Sequence, residues 1–383
     1  MTMRAIIQVG NDGPLAALNG FLRSLLTSGV VEALLVPQWT DAGDNVVQTL
    51  VADVSRLTAP DPIAPVLPVQ SAKLVANITG TGAPRKLGVV VRPCEWRAVV
   101  ELVKLKQAAL DNVLTIGIDC LGTYEVKDFA AMVREGSSPS AELLAQAGQA
   151  RERLGKPSGE AWPRPHEGFS FRTACQMCEY PVPQGTDISV ELIGWDVSTA
   201  IGLQAPQEVV DALQLPSGEP STWRDEYVRA WVNERVAARD QILAAFRDGV
   251  QDLPALLAQF STCLRCHNCM VACPICYCKE CIFRGSTFDH AASQYYTWAD
   301  RKGAIRMPTD TLLFHLGRLN HMVSSCVGCG LCTSACPVGL PVGTVFRAVG
   351  QKVQALFDYV PGRSLDEPLP LATFREEELP DLG

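Results

Sequence analysis

Two stretches near the C-terminal end of this 383-residue chain share one cysteine grammar, and it constrains the fold more than any other feature. Cys263-Leu-Arg-Cys266-His-Asn-Cys269-Met-Val-Ala-Cys273-Pro274 is answered by Cys326-Val-Gly-Cys329-Gly-Leu-Cys332-Thr-Ser-Ala-Cys336-Pro337. Both read C-x2-C-x2-C-x3-C-P, in which three thiolates wrap three corners of one 4Fe–4S cubane and the fourth reaches across to the other. The proline has no N–H and turns the chain away from the ligand loop. Cys263, Cys266, Cys269 and Cys336 therefore form one ligand set, and Cys326, Cys329, Cys332 and Cys273 the other. Structural zinc asks instead for four ligands, usually as two separated C-x2-C pairs, which a doubled triple run does not match. A chain built around two cubanes moves single electrons.

The rest of the composition narrows the class. At 47% hydrophobic residues the chain is globular and long enough for two or three domains. No stretch is apolar for long enough to span a bilayer. The N-terminus reads as a first strand, with neither the apolar length nor the cleavage site of a signal peptide. Fifteen cysteines that cluster at ligand spacings, without an export signal, point to metal in a reducing cytoplasm rather than to disulfides. A formal net charge of −8 argues against a nucleic-acid partner.

The first third alternates strand-like and helix-like segments. Residues 5–9, 31–37 and 46–54 read as strands, and residues 14–28 carry helical spacing through Leu15, Leu18, Phe21, Leu22 and Leu25. Three prolines, Pro62, Pro65 and Pro68, keep residues 61–68 extended, and residues 71–78 start a helix. Residues 86–92, 95–110 and 112–118 form a strand–helix–strand unit of the length that joins parallel strands. In open α/β sheets, ligands sit at the carboxyl ends of such strands, where Cys94 and Cys120 stand. Residues 135–168 are polar and helical, then proline-rich. Residues 223–260 read as one long amphipathic helix feeding the first cysteine run, and residues 309–322 as a helix before the second. The expected class is α/β in the N-terminal part plus an all-α C-terminal dicluster domain. Its divisions are 1–215 (α/β), 216–260 (linking helices), 261–350 (cluster-binding helices) and 351–383 (a loosely ordered tail).

Seven cysteines remain. Cys175-Gln-Met-Cys178 is a C-x2-C clip that needs two more ligands, and Cys94 with Cys120 would complete a third 4Fe–4S set; otherwise these two are buried thiols, a common state of free cysteine. Cys276, Cys278 and Cys281 crowd the segment after Cys273. They are candidate ligands of a fourth cluster, or they pack against the others.

Arg92-Pro-Cys94-Glu-Trp-Arg97, Gly117-Ile-Asp-Cys120-Leu-Gly122 and Cys175-Gln-Met-Cys178-Glu-Tyr-Pro resemble the beta subunits of coenzyme F-420-reducing hydrogenase and formate dehydrogenase. Asp61-Pro-Ile-Ala-Pro-Val-Leu-Pro and Phe314-His-Leu-Gly-Arg-Leu-Asn-His321 look like the formate dehydrogenase branch. The resemblance runs from about residue 60 to 340. The helical spacer between the cysteine runs is similar to the α-helical ferredoxin module of succinate dehydrogenase and heterodisulfide reductase subunits. The family implies an α/β domain holding FAD beside a 4Fe–4S cluster. It also implies a catalytic alpha subunit of formate dehydrogenase or hydrogenase type, and a carrier that is coenzyme F-420, ferredoxin or another flavoprotein. For FAD the candidate contacts are Ser71, Asn77, Gly80, Gly82, Arg92, Gly117 and Gly122. No ligand set for molybdenum, tungsten or nickel stands beside the cysteines, so the chain is not expected to oxidise formate or hydrogen alone, and no catalytic residue is assigned. The alternatives are a flavin-free polyferredoxin-type wire and a heterodisulfide-reductase-like subunit.

Weaker signals complete the reading. Thr79-Gly-Thr-Gly82-Ala-Pro-Arg85 follows a helix rather than a strand and is a turn, not a dinucleotide fingerprint. Arg92 and Arg97 flank Cys94, placed to favour reduced states or to form ion pairs. Asp119 is a candidate buried hydrogen-bonding group. His267, His315 and His321 are expected beside ligands or in the core. Trp195, Trp223 and Trp231 are core candidates, and Arg224, Arg229, Arg235 and Arg239 read as a solvated or subunit-facing helix surface.

Overall fold

The computed structural model describes residues 2–149, 163–370 and 372. Its N-terminal part is built on a seven-stranded mixed sheet of order β1-β7-β6-β5-β4-β2-β3. The strands are β1 (Thr2–Gln8), β2 (Ala33–Trp39), β3 (Val46–Val51), β4 (Leu87–Val91), β5 (Val113–Ile118), β6 (Ile188–Glu191) and β7 (Ala200–Pro206). β2, β4, β5 and β6 pair in parallel, while β3, β7 and β1 add antiparallel flanks. All five residues of β4 are buried, as a central strand covered on both faces requires.

Each face is covered by helices whose spacing explains them. Helix Gly13–Thr27 buries Leu18, Phe21, Leu22 and Leu25, an i, i+3, i+4, i+7 stripe, against Leu34, Val36, Val90 and Ile116. On the other face, helices Ser71–Thr79 and Pro93–Lys104 pack Val75, Val99, Val100 and Leu102 on Leu35, Val89 and Val91. This second apolar layer continues without a break into Cys269, Met270, Phe283, Phe314, Met322 and Phe346 of the C-terminal half. The sheet and the cysteine runs thus share one core.

The C-terminal half is helical: Arg224–Asp248, Leu253–Gln259, Ala292–Lys302, Thr311–Met322 and Val342–Leu356, with single turns at Asn268–Val271 and Leu331–Ser334. Three expectations need correction. The single helix over residues 223–260 breaks after Asp248, because Asp252 caps a new helix by accepting from the Ala255 N–H at 2.8 Å. The tail does not begin at residue 351: helix Val342–Leu356 runs through that boundary. Beyond it, Glu101 accepts from the Gly362 N–H at 2.8 Å, fastening the chain to helix Pro93–Lys104. Residues 1, 150–162, 371 and 373–383 lie outside the described residues, and with them the middle of the 135–168 stretch and the end of the expected tail.

The third correction concerns the helix arginines. Arg224 does not face solvent. Its guanidinium grips Asp119 at 2.6 and 2.9 Å, and Asp119 also accepts from the Leu192 and Ile193 N–H groups at 2.9 Å. Arg235 is buried over the Trp231 ring, and Arg239 pairs with Glu179. This helix is therefore fixed to the carboxyl end of β5, one residue before Cys120. Among the described residues no helix is long and apolar enough to cross a membrane.

Removing one partner of a buried ion pair leaves an uncompensated charge. Asp119→Ala is expected to destabilise the folded chain by about 3–5 kcal/mol, with Arg224→Lys much milder, as read from denaturant midpoints of anaerobic protein.

Candidate metal centres

The two cysteine runs adopt one backbone. In each, the residue before the second cysteine and the residue after it take left-handed φ: Arg265 (52°) and His267 (63°) in the first run, Gly328 (73°) and Gly330 (71°) in the second. The reversals curl each run around a common centre. Backbone donors also face sulfur, with the Arg265 N–H 3.4 Å from Cys263 Sγ inside the first run and the Leu340 N–H 3.4 Å from Cys336 Sγ just beyond the second. The second run uses glycine, which adopts this φ freely. At Gly330 there is a second reason: a Cβ would lie 2.3 Å from that of Ala174, so the run presses on the segment that carries Cys175.

All fifteen cysteines are free thiols, and their mutual influence divides twelve of them into three sets. Burial, opposed by Arg318 and reinforced by Cys263, Cys336 and Cys266, pushes Cys269 up to about 11. Burial and Cys273 push Cys326 to about 12. Cys332 is raised far above the thiol range by burial, then Cys273, Cys329 and Cys326. At the strand ends, burial and Cys175 bring Cys120 to about 11, with Cys178 adding to it. Cys94 is raised by burial, Glu95 and Cys120, and next by Cys329. The sets are Cys263/Cys266/Cys269/Cys336, Cys273/Cys326/Cys329/Cys332 and Cys94/Cys120/Cys175/Cys178, and Arg318 acts on sulfurs of the first two. Cys329 and Cys94 join the second to the third. The thiols are neighbours rather than touching: among the described residues no three His, Cys, Asp or Glu side chains converge tightly enough to hold a single metal ion.

The surroundings suit an anionic inorganic core. Among the described residues eight buried side-chain polar atoms lack a hydrogen-bond partner, and four of them, Arg97 Nη2, His267 Nε2, His315 Nδ1 and Arg318 Nε, belong to side chains beside the cysteines. Buried groups of this kind normally find a partner, and sulfides supply acceptors. His315 stacks on Phe260 at 4.1 Å and puts Nε2 3.3 Å from Cys263 Sγ. Burial and then Arg318 lower its pKa to about 4, so the ring is neutral at physiological pH. His267 stacks on Phe314 at 4.8 Å, and His321 approaches Phe283 at 6.4 Å. Arg318, buried in helix Thr311–Met322, donates to Cys269 Sγ and Cys269 O at 3.0 Å each. Arg172 donates to Cys329 O at 2.8 Å and to Thr123 Oγ1, which lies 3.0 Å from Cys175 Sγ. Neither arginine stands out by spacing. Arg318 lies inside the Phe314–His321 stretch, where its residue type was the one available signal.

Cys276, Cys278 and Cys281 line a cleft of about 850 Å³ between the helices Ser71–Thr79 and Pro93–Lys104 and the segment after Met270. Lys73, Lys106, Lys279 and Arg284 give it four cations. Of the seven residues expected around FAD, Asn77 and Gly80 reach this cleft. The other five stand elsewhere. The Ser71 N–H and the Arg92 N–H both bind Glu95. Gly82 occupies an open turn at φ 89°. Added Cβ atoms at Gly117 and Gly122 would meet Pro183 at 2.5 Å and Phe171 at 3.1 Å, so protein fills the space in front of both. The seven do not form one cradle.

Gly330→Ala is expected to cost about 1–3 kcal/mol more than Gly339→Ala. Both sites have positive φ, but only Gly330 faces a neighbour. Thermal unfolding of the two anaerobic variants measures the difference.

Comparison with known proteins agrees with this geometry. Residues 84–204 match the family model for the C-terminal part of the coenzyme F420 hydrogenase/dehydrogenase beta subunit, and residues 259–340 match the 4Fe-4S dicluster domain. The F420-dependent formate dehydrogenase subunit beta of Methanocaldococcus jannaschii is 25% identical over 95% of this chain and 97% of its own length. The F420-dependent formate dehydrogenase 1 subunit beta of Methanococcus maripaludis is 25% identical over 94% of this chain and 92% of its own. A chain of the F420-reducing [NiFe] hydrogenase complex from Methanosarcina barkeri aligns with a TM-score of 0.45 and 12% identity, covering 65% of this chain and 94% of that one. The chain thus carries, over residues 84–204, a segment similar to the C-terminal part of the coenzyme F420 hydrogenase/dehydrogenase beta subunit and, over residues 259–340, a segment that matches the 4Fe-4S dicluster domain.

Proposed function

We propose that the chain is the electron-relay subunit of an oxidoreductase complex, with one 4Fe–4S cluster in each of the three cysteine sets and an FAD in the cationic cleft. The observation that carries this reading is the succession of three four-cysteine sets, the first two packed against the apolar core that the sheet shares and the third reached from the second through Cys329 and Cys94. Bound cubanes supply one-electron exchange, and a bound flavin joins it to two-electron exchange.

The residues then take distinct parts. Cys266, exposed beside the exposed Leu264 and Val338, marks the end of the line that faces a catalytic partner. The half-buried middle and far sets limit water around the transferred charge. Lys73, Lys106, Lys279 and Arg284 suit the diphosphate of a dinucleotide, and 850 Å³ lies within the range of cofactor clefts. Cys276, Cys278 and Cys281 form the floor of that cleft. Both similar proteins are named as beta subunits of F420-dependent formate dehydrogenase. That supports a formate dehydrogenase-type catalytic subunit as partner and a deazaflavin as carrier.

The scatter of the seven FAD candidates favours a second reading, a flavin-free relay. Anaerobic co-purification with iron, sulfide and flavin analysis decides between them. The expected result is about twelve irons per chain, one flavin and a co-purifying catalytic subunit. About sixteen irons would make Cys276, Cys278 and Cys281 ligands of a fourth cluster. In the same assay Lys279→Glu with Arg284→Glu should remove most of the flavin and leave iron unchanged. Fully loaded protein without flavin would overturn the FAD assignment and leave the relay.

A further inference from the structure

Three buried guanidinium groups surround the middle cysteine set: Arg172 and Arg97 bond to backbone of its run, and Arg318 bonds to Cys269 of the first set beside it. Arg318 is 1% exposed and held between the Phe314 and Phe346 rings. It binds Cys269 of the first set through sulfur and carbonyl, and its charge also acts on Cys273 and Cys332 of the middle set. Arg172, 4% exposed, donates to the Cys329 carbonyl at 2.8 Å and acts on Cys175 and Cys94 of the third set. Arg97, 7% exposed, donates to the Val327 carbonyl at 3.2 Å, beside Cys326, and keeps one buried Nη2 without a partner.

The outer sets are charged differently. Beside Cys120, Arg92 is paired with Glu95 at 3.7 Å. Beside Cys263, Arg265 is paired with Asp310 at 3.3 Å. Among the described residues neither Arg318 nor Arg97 pairs with a carboxylate, and Arg172 meets Glu125 only at 3.9 Å. Glu95 adds a negative charge to the third set through Cys94. Reduction adds one electron to a cluster, and a fixed positive charge in a poorly screened interior favours that state.

Taking the three-cluster reading as its basis, we infer that the cluster in the middle set has the highest reduction potential of the three, set by Arg318, Arg172 and Arg97. The middle set is then where an electron rests between partners. Arg318 and Arg172 are positioning residues, each shared with one outer set.

The sharing gives the test. Anaerobic holo chain is titrated potentiometrically and followed by EPR, with iron and sulfide counted in every sample. Arg318→Met should lower two midpoints and Arg172→Gln two midpoints, with one midpoint common to both. That common midpoint should be the highest in the unsubstituted protein. Its reduction equilibrium should weaken at least tenfold in each variant, 59 mV for one electron. Arg318→Lys should restore most of the shift. If either variant fails to hold its iron, Arg97→Gln decides, and should lower the highest midpoint alone. The inference is overturned if the common midpoint is not the highest, or if midpoints stay in place while iron content is intact. Fewer than three titrating centres in fully loaded protein would instead overturn the three-cluster reading.

Discussion

Twelve cysteine sulfurs in three neighbouring sets, with only Cys266 among them exposed, cannot ionise together without compensation. Burial and mutual repulsion raise the Cys269, Cys326 and Cys94 thiols, one from each set, as expected for like charges in a medium of low polarity. Much of the rest of the architecture answers that constraint. The left-handed turns at 265, 267, 328 and 330 aim backbone toward sulfur. Buried guanidiniums stand between the sets, and helix Val342–Leu356 closes over Cys326 through Gln354, whose amide donates to the Cys326 carbonyl at 3.1 Å. An iron–sulfur core removes the need for thiol protons and makes the crowding favourable.

The sheet contributes position rather than chemistry. Its two central parallel strands end at residues 91 and 118, so Cys94 and Cys120 fall close together at the same edge. Asp119 and Arg224 fix that edge to the long helix Arg224–Asp248, and Glu101 fixes the last described segment to helix Pro93–Lys104. The middle cysteine set is the junction of these parts: the first set lies on one side, the third on the other, and the cationic cleft joins through Cys276, which shares Arg318 with it.

The dicluster segment was legible because metal ligation imposes spacing along the chain, and the C-x2-C-x2-C-x3-C-P runs, both inside the matched residues 259–340, carry it without help from tertiary structure. The strand–helix–strand unit around Cys94 was legible for a similar reason, since β4 and helix Pro93–Lys104 are local periodic patterns. What escaped was whatever depends on distant packing. Arg318 and Arg172 are single residues whose meaning comes from which sulfur they face. Arg224 looked solvated because charge alternates along its helix, and only the fold brings Asp119 to it from 105 residues away. For the candidate cofactor glycines the fold adds a packing reason that the sequence did not carry: an added Cβ at Gly117 or Gly122 would meet Pro183 or Phe171.

Anomalous diffraction at the iron edge, from crystals grown without air, tests the central arrangement directly. Three compact iron sites are expected, in line, each ringed by one of the three four-cysteine sets, with the middle site beside Arg318, Arg172 and Arg97. Zinc in place of iron, or no iron among Cys94, Cys120, Cys175 and Cys178, would contradict it.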